Sequence, residues 1–419
     1  MSIHIKISSL VSRTAVVAGF LICIILFALS ATIYFGSGVA RGATELAAAE
    51  FAVRLAPDDA EGYLAAAAFL ESSMRAEDQP KALRYYEQAA ALEPNNYIYW
   101  YTLGNAKERS GDPEAAEKAM RRAESLAPNY SEVLWALGNI LVRNGKDDEG
   151  FQKIRKAVEG NMKFAVPAAS LSWDLNEGDV GRVEKAVGDS LPVRAALARL
   201  LAGRERFDES LKMWDSIPAE KARTDFSDSG EKVLLALLKA KKYVEAVKLK
   251  AELDDSKSPA VGKVTNPGFE EDVSVKPGSG FEWIVAQGGR PKAGVSVEQK
   301  HSGEKSLVLI FDGRGLKSAK TVTQVIAVVP GNEYTFNAFY RSELQAEKTL
   351  FWEIVDVATG DVIARTDPFS ASSGWTPVSA SFTSPEDSEA VIIRLARQSC
   401  LANECSIKGK LWIDDVTLK

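Results

Sequence analysis

Six side chains in the C-terminal third of the chain have the types needed to hold a sugar: Asn337, Phe339, Arg341, Phe351, Glu353 and Arg394. A sugar ring stacks its C–H face on an aromatic plane and pairs its hydroxyls with bidentate polar groups. All six lie on one phase of alternating segments whose other phase is apolar. In 334–341, Tyr334, Phe336, Ala338 and Tyr340 oppose Thr335, Asn337, Phe339 and Arg341. Likewise Leu350, Trp352 and Ile354 oppose Phe351, Glu353 and Val355, and Val391, Ile393 and Leu395 oppose Ile392, Arg394 and Ala396. In a strand this alternation separates core from exposed face. If these strands belong to one sheet, the six candidates share one face. A solvated face with ion pairs would use the same residues, and the loops around Trp283 are a second place for a ligand.

Three carboxylates, Glu270, Asp272 and Asp415 (or its neighbour Asp414), come from the two ends of the same segment. First and last strands often neighbour each other in sandwiches, and such hard oxygens suit Ca²⁺. Three surface carboxylates without an ion are the other reading, and no firm cofactor is expected. Cys400 and Cys405 flank a short turn-like stretch, which suits a disulfide in an oxidising compartment. No further Cys and no nearby His could complete a zinc site with them. His4 and His301 are the two histidines of the chain. That scarcity argues against His-based metal centres and His-assisted nucleophiles. No G-x-S-x-G, G-x-x-x-x-G-K-[ST] or H-E-x-x-H motif is present either. The expectation is a protein that is not an enzyme. A glycan-processing enzyme with a convergent carboxylate pair stays open as the alternative.

The elements that must position these groups follow from length and pattern. With 419 residues the chain exceeds one core, and a net charge of −6 with 26% charged residues gives no reason to expect a nucleic-acid partner. Residues 14–35 form an uncharged apolar run. At about 1.5 Å per residue it can cross a hydrocarbon core roughly 30 Å thick. Lys6 and Arg13 precede it, which places residues 1–13 in the cytoplasm, a single span at 14–36, and the rest outside. A cleaved signal peptide is the rival, but its apolar stretch is shorter, and Gly38-Val39-Ala40 is only a fair cleavage site.

Beyond the run, Trp100-x2-Leu103-Gly104 is followed by Ala116, Met120, Ala123 and Pro128. Pro94 and Pro128, Gly104 and Gly138, and Asn105 and Asn139 are each 34 residues apart. Small residues such as Ala82, Ala89, Ala116, Ala123 and Gly150 let antiparallel helices approach closely. Large ones such as Leu103, Met120, Leu137 and Ile154 fill the space between them. About six helix pairs are expected over 44–254, stacked because no pair buries its apolar face alone. The pattern resembles the tetratricopeptide repeat. That resemblance implies an α-solenoid scaffold with a groove for a protein partner, lined by Tyr101, Asn105, Trp135 and Asn139. Ordinary helix-surface residues at those positions are the plainer reading.

A polar linker at 255–262 ends the helical pattern. About eight short strands follow, punctuated by turn signals such as Thr359-Gly360-Asp361 and Ser372-Ser373-Gly374, which suggests a β-sandwich jelly roll over 263–419. The order Asn266-Pro267-Gly268-Phe269-Glu270, Trp283, His301-Ser302-Gly303, Pro330-Gly331, Trp375 and Trp412-Ile413-Asp414-Asp415 is similar to galactose-binding-like jelly rolls, which include many carbohydrate-binding modules. That resemblance implies polysaccharide as a candidate ligand and a structural calcium near Glu270, although the same fold also serves as a passive spacer. The expected whole is multidomain, α then β: a transmembrane helix, a helical-repeat solenoid and a β-sandwich. Its expected role is that of a membrane-anchored extracytoplasmic scaffold of the cell envelope. A purely structural adaptor whose β domain binds protein is the further alternative.

Overall fold

The computed structural model describes residues 10–419 except 74, 255–258, 272, 274–279, 286–290, 314–321 and 400–405. The chain forms two compact units, Met1–Val193 and Arg194–Lys419.

The first unit begins with α1 (Leu10–Arg41), a single unbroken helix. Its part Arg13–Arg41 contains a stretch long and apolar enough to cross a membrane, none of it buried. Helical hairpins follow: α2 (Leu46–Leu55) and α3 (Ala60–Ser72), then α4 (Gln79–Leu92), α5 (Tyr97–Arg109), α6 (Pro113–Leu126), α7 (Ser131–Arg143) and α8 (Asp147–Gly160). A 3₁₀ turn at Met162–Phe164 leads to α9 (Ala165–Leu175) and α10 (Val180–Val187). The starts are fixed locally. The Asn96 side chain accepts the Ile98 N–H (3.1 Å), the Asp112 side chain accepts the Ala115 N–H (3.1 Å), and Pro113 opens α6, where its missing N–H costs nothing. Gly111 and Gly145 turn the chain between paired helices with φ of 79° and 73°, a region that L side chains avoid.

The repeated glycine of the Leu-Gly motif has a packing cause. A Cβ on Gly104 would lie 2.8 Å from Met120 Cγ, and one on Gly138 would lie 2.7 Å from Ile154 Cγ1. The α7–α8 pair is tighter still, because a Cβ on Gly150 would meet the Gly138 carbonyl oxygen at 2.8 Å and the Val142 nitrogen at 3.0 Å. Backbone cannot swing aside as a side chain can. Gly150→Ala is therefore expected to destabilise this unit by about 1–3 kcal/mol, the usual range for overpacking. Thermal unfolding followed by circular dichroism checks it, and an unchanged midpoint would mean that the two helices can separate freely.

The second unit comprises α11 (Leu191–Gly203) from Arg194 onward, α12 (Phe207–Asp215), α13 (Ala219–Thr224), α14 (Ser227–Lys239) and α15 (Tyr243–Leu253), with the β structure. Its strands are β1 (Ile284–Val285), β2 (Lys292–Ser296), β3 (Ser306–Asp312), β4 (Val322–Ala327), β5 (Glu333–Ser342), β6 (Leu350–Asp356), β7 (Val362–Arg365), β8 (Ser372–Thr383), β9 (Ala390–Arg397) and β10 (Lys408–Leu418). They form two antiparallel sheets, β1-β4-β9-β6-β7 and β2-β3-β10-β5-β8. Between the sheets lie Phe269, Trp283, Leu309, Phe336, Trp352, Ile393 and Ile413, among others. The helices touch the sandwich through Lys241 Nζ, which donates to the Ala358 carbonyl (3.1 Å), and Val244 N, which donates to Glu389 Oε2 (3.1 Å). One expected turn is corrected: Ser372-Ser373-Gly374 opens β8, where Ser372 pairs with Ser342 after a register shift.

Candidate functional site

The six sugar-type residues fall on two faces rather than one, because β5 lies in one sheet and β6 and β9 in the other. Alternation along a strand separates inside from outside but carries no information about which sheet the strand joins.

On the outer face of the β6 sheet the structure brings Phe351, Glu353 and Arg394 together. Glu353 is the register partner of Arg394 on β9 and of Arg365 on β7. Its carboxylate accepts from Arg394 Nη2 (2.7 Å) and Nε (2.9 Å) and from Arg365 Nε (3.1 Å). The Glu353 side chain is only 8% exposed and that of Arg394 19%, whereas that of Arg365 is 59% exposed and reaches over the Phe351 ring, 5.9 Å from its centroid. Phe351 faces the small Ala396 across the ladder. A cavity of about 410 Å³ opens here, lined by Phe351, Glu353, Arg365, Thr366, Arg397 and Gln398 among others. Burial lowers the pKa of Arg397. Its Nε donates to the Lys348 carbonyl (3.1 Å). Arg365, Thr366 and Gln398 were missed by the sequence reading. The turn at Thr359-Gly360-Asp361 was a usable signal for them, since a hairpin returning from β6 must lay 362–365 beside it.

Asn337, Phe339 and Arg341 lie on the outer face of the other sheet, in a different setting. The Phe339 ring is covered from within the chain: the His301 imidazole stacks on it at 3.8 Å and 14°, and Trp375 stands edge-on to His301 at 5.8 Å. Arg341 Nη1 donates to Gln299 Oε1 (3.0 Å), and its guanidinium lies 5.9 Å from the centroid of the buried Trp412 ring. The segment between β2 and β3 is thus a strap over this face. Trp283 is also corrected as a ligand residue: it is buried against Phe269 and Trp352, and its indole N–H donates to the Asn266 carbonyl (3.1 Å).

The strap is fastened by the carboxylates considered for calcium. Asp414, fully buried, accepts the backbone N–H groups of His301 (2.7 Å), Ser302 (3.2 Å) and Asp415 (2.8 Å). Asp415, at φ 47°, contacts His301 Nδ1 (2.6 Å) and accepts from Ser302 Oγ (2.7 Å). Glu270 Oε1 accepts the Glu304 N–H (2.8 Å) and the Lys305 N–H (3.3 Å). These oxygens face donors, which fits a hydrogen-bonded clamp. Among the described residues no group of three or more His, Cys, Asp or Glu is placed to hold a metal. Asp272, Cys400 and Cys405 lie outside the described residues.

In the helical unit, Tyr101 packs on the cluster of Met120, Leu137 and Leu141. Trp135 stacks on Phe164 at 5.2 Å and 17°, and Asn139 Nδ2 donates to the Trp135 carbonyl of its own helix (2.7 Å). Asn105 is half-buried. Part of the aromatic and amide capacity expected for a partner is therefore used internally.

Comparison with known proteins gives the following. The tetratricopeptide-repeat family model matches residues 71–130 and 101–163. Among curated proteins, none matches the chain. Similar solved structures include YrrB, described as a TPR protein with an unusual peptide-binding site (16% identity, 49% of this chain and 91% of that one, TM-score 0.27). MamA protein is similar at 15% identity, over 51% of this chain and 95% of that one, with a TM-score of 0.30. A xylan-binding domain from CBM 22 is similar at 18% identity, over 36% of this chain and 94% of that one, with a TM-score of 0.25. The helical hairpins within residues 71–163 are tetratricopeptide repeats.

Proposed function

We propose that this chain is a non-catalytic, membrane-attached scaffold of the cell envelope whose β-sandwich binds polysaccharide on the outer face of the β6 sheet. The single observation that carries the glycan reading is Glu353, nearly buried yet held between two guanidiniums beside the Phe351 ring at an open cavity. Such a carboxylate is oriented in advance, so pairing with sugar hydroxyls requires no side-chain reorganisation, while the Phe351 ring, 9% exposed, adds an apolar wall to the cavity. The order of sequence motifs resembling carbohydrate-binding jelly rolls supports the same reading. The tetratricopeptide repeats support a protein partner, with Tyr101, Asn105, Trp135 and Asn139 the proposed lining of its groove. The apolar run of α1 supports a single span with residues 1–13 inside and the remainder outside the cytoplasm. We place the boundary between scaffold and binding module at 255–262, where helical patterning ends. A Cys400–Cys405 disulfide belongs to the same extracytoplasmic reading.

Arg365 gives the cleanest test, because its side chain is 59% exposed and its loss is expected to leave the fold intact. Calorimetry of the full chain against neutral and uronic-acid-containing polysaccharides is expected to show binding that Arg365→Ala weakens by roughly tenfold, the scale of one good charged hydrogen bond. The melting temperature should not move. No binding by any polysaccharide would leave the sandwich as a spacer or protein-docking module. Binding indifferent to Arg365→Ala would place the ligand elsewhere.

A further inference from the structure

The end of α1 is built into the helical unit rather than linked to it. Gly36 is buried, and a Cβ there would lie 2.7 Å from Ala56 Cβ. Ser37 Oγ donates to Asp59 Oδ2 (2.6 Å), and Arg41 donates from Nε and Nη2 to the two Glu61 oxygens (2.7 Å each). The turn between α2 and α3, residues 56–59, therefore stands level with residues 36–37, immediately beyond the apolar run. No flexible spacer separates the two, because α1 is continuous from Leu10 to Arg41.

The same level continues along the repeats. Tyr99, in the first turn of α5, lies within electrostatic reach of Asp59, Glu61 and Arg41. The Tyr97 and Tyr130 rings meet at 5.1 Å, joining the start of α5 to the start of α7. Lys163 pairs with Glu132 at 2.6 Å, joining α7 to the 3₁₀ turn. Residues 56–59, 94–98, 127–132 and 161–164 thus form one edge of the unit. That edge carries Ile98, Tyr130 and Met162, exposed at 43%, 43% and 54%. Its charges are mixed in sign: Asp58, Asp59 and Glu132 with Lys163 and Arg122, whose guanidinium donates to the Pro94 carbonyl (3.0 Å). Recognition by anionic headgroups is not what it is built for.

We propose that this edge lies on the bilayer surface, with Ile98 and Tyr130 reaching the boundary between headgroups and acyl chains, so that the scaffold is held against the membrane in one orientation. The proposal rests on the reading of α1 as a membrane span. Apolar and aromatic side chains on an edge that begins where a span ends have a lipid interface within reach, and Tyr is favoured there because its ring is apolar and its hydroxyl stays wet. The occupant is a zwitterionic lipid surface recognised by shallow apolar insertion.

The test uses the full chain in phosphatidylcholine nanodiscs, with the photo-crosslinker benzoylphenylalanine replacing Ile98, Tyr130 or, as control, Leu175 at the end of α9, which is no less exposed (52%). Lipid adducts at 98 and 130 should exceed those at 175 by roughly fivefold, as for interfacial against aqueous positions. A flexible Gly/Ser insert of about twelve residues between Phe35 and Gly36 should reduce them to the control level, since it frees the unit to leave the surface. Flotation with lipid vesicles, read separately, reports on α1. Full-length protein that floats but gives no excess of adducts at 98 and 130 overturns the edge alone. Protein that does not float overturns the span and the edge with it. Adducts at 98 and 130 to another polypeptide instead of lipid would assign the edge to a protein partner and overturn the lipid proposal.

Discussion

Replacing Asp414 with Ala is expected to destabilise the sandwich by about 3–5 kcal/mol, because three backbone donors lose the buried, charged acceptor they share. The N–H groups of His301, Ser302 and Asp415 all point at this one fully buried carboxylate. Without it the strap loses its hold, the His301 ring leaves Phe339, and an aromatic face opens to solvent. Urea unfolding monitored by hydrogen exchange in β10 measures the loss. The pH dependence supplies an independent check. Burial raises the Asp414 pKa above its ordinary 3.8, with the three N–H bonds opposing that shift. For a carboxyl group raised on folding, the contribution to stability is complete below the unfolded value and declines as pH rises through the folded one. Asp414→Asn removes this step and keeps one oxygen for His301 and Ser302. It should therefore cost less than Ala and flatten the stability profile from pH 3.8 upward. Equal losses for Ala and Asn, with an unchanged pH profile, would show that the carboxylate is not the clamp.

What could be read from the sequence, and what could not, divides along a physical line. Period-2 alternation identified Tyr334, Phe336, Ala338 and Tyr340 as inward, and all four pack into or against the core. It also marked Phe339 as an aromatic on the outer side that needed a cover. The cover is His301, which is 38 residues earlier in the chain and belongs to a loop without periodicity. Likewise β5 and β6 are consecutive in sequence but enter different sheets. No local pattern encodes that crossover, because both strands bury one face in the same core. The short strands β1, β2 and β7 escaped notice since two to five residues give too few alternations to stand out.

The helical repeats were more legible because their signal is periodic at long range. Gly104 and Gly138 recur where a neighbouring helix leaves no room for a Cβ, so the spacing is a direct imprint of packing. The groove residues were less so. Trp135 occupies a groove-lining position by register, yet Phe164 from the irregular 3₁₀ turn stacks on it. Register gives the direction of a side chain, whereas its neighbour comes from a segment that breaks the repeat.

Glu353→Ala is expected to remove polysaccharide binding on the β6 face altogether and to cost about 3–5 kcal/mol, the range for breaking one side of a buried ion pair. Most of that cost falls on Arg394, whose side chain is 19% exposed and would be left with its charge unanswered; Arg365, at 59%, can turn to water. The two arginines should therefore behave differently. Arg394→Ala strands Glu353 in a poorly hydrated position and should destabilise strongly, whereas Arg365→Ala should stay within about 0.5 kcal/mol of the parent. A double-mutant cycle between Glu353 and Arg394 should give a coupling of about 1–3 kcal/mol that salt screens only weakly, since both side chains are largely buried. Binding and folding are separated by Glu353→Gln. It keeps one acceptor oxygen and the side-chain volume, so the sandwich should survive while the charged pairing with sugar hydroxyls is lost. A Glu353→Gln protein that is fully folded and binds polysaccharide as tightly as the parent would make this cluster purely structural. The ion pair would then serve to hold β7 on β6, and the glycan reading would lose the observation on which it stands.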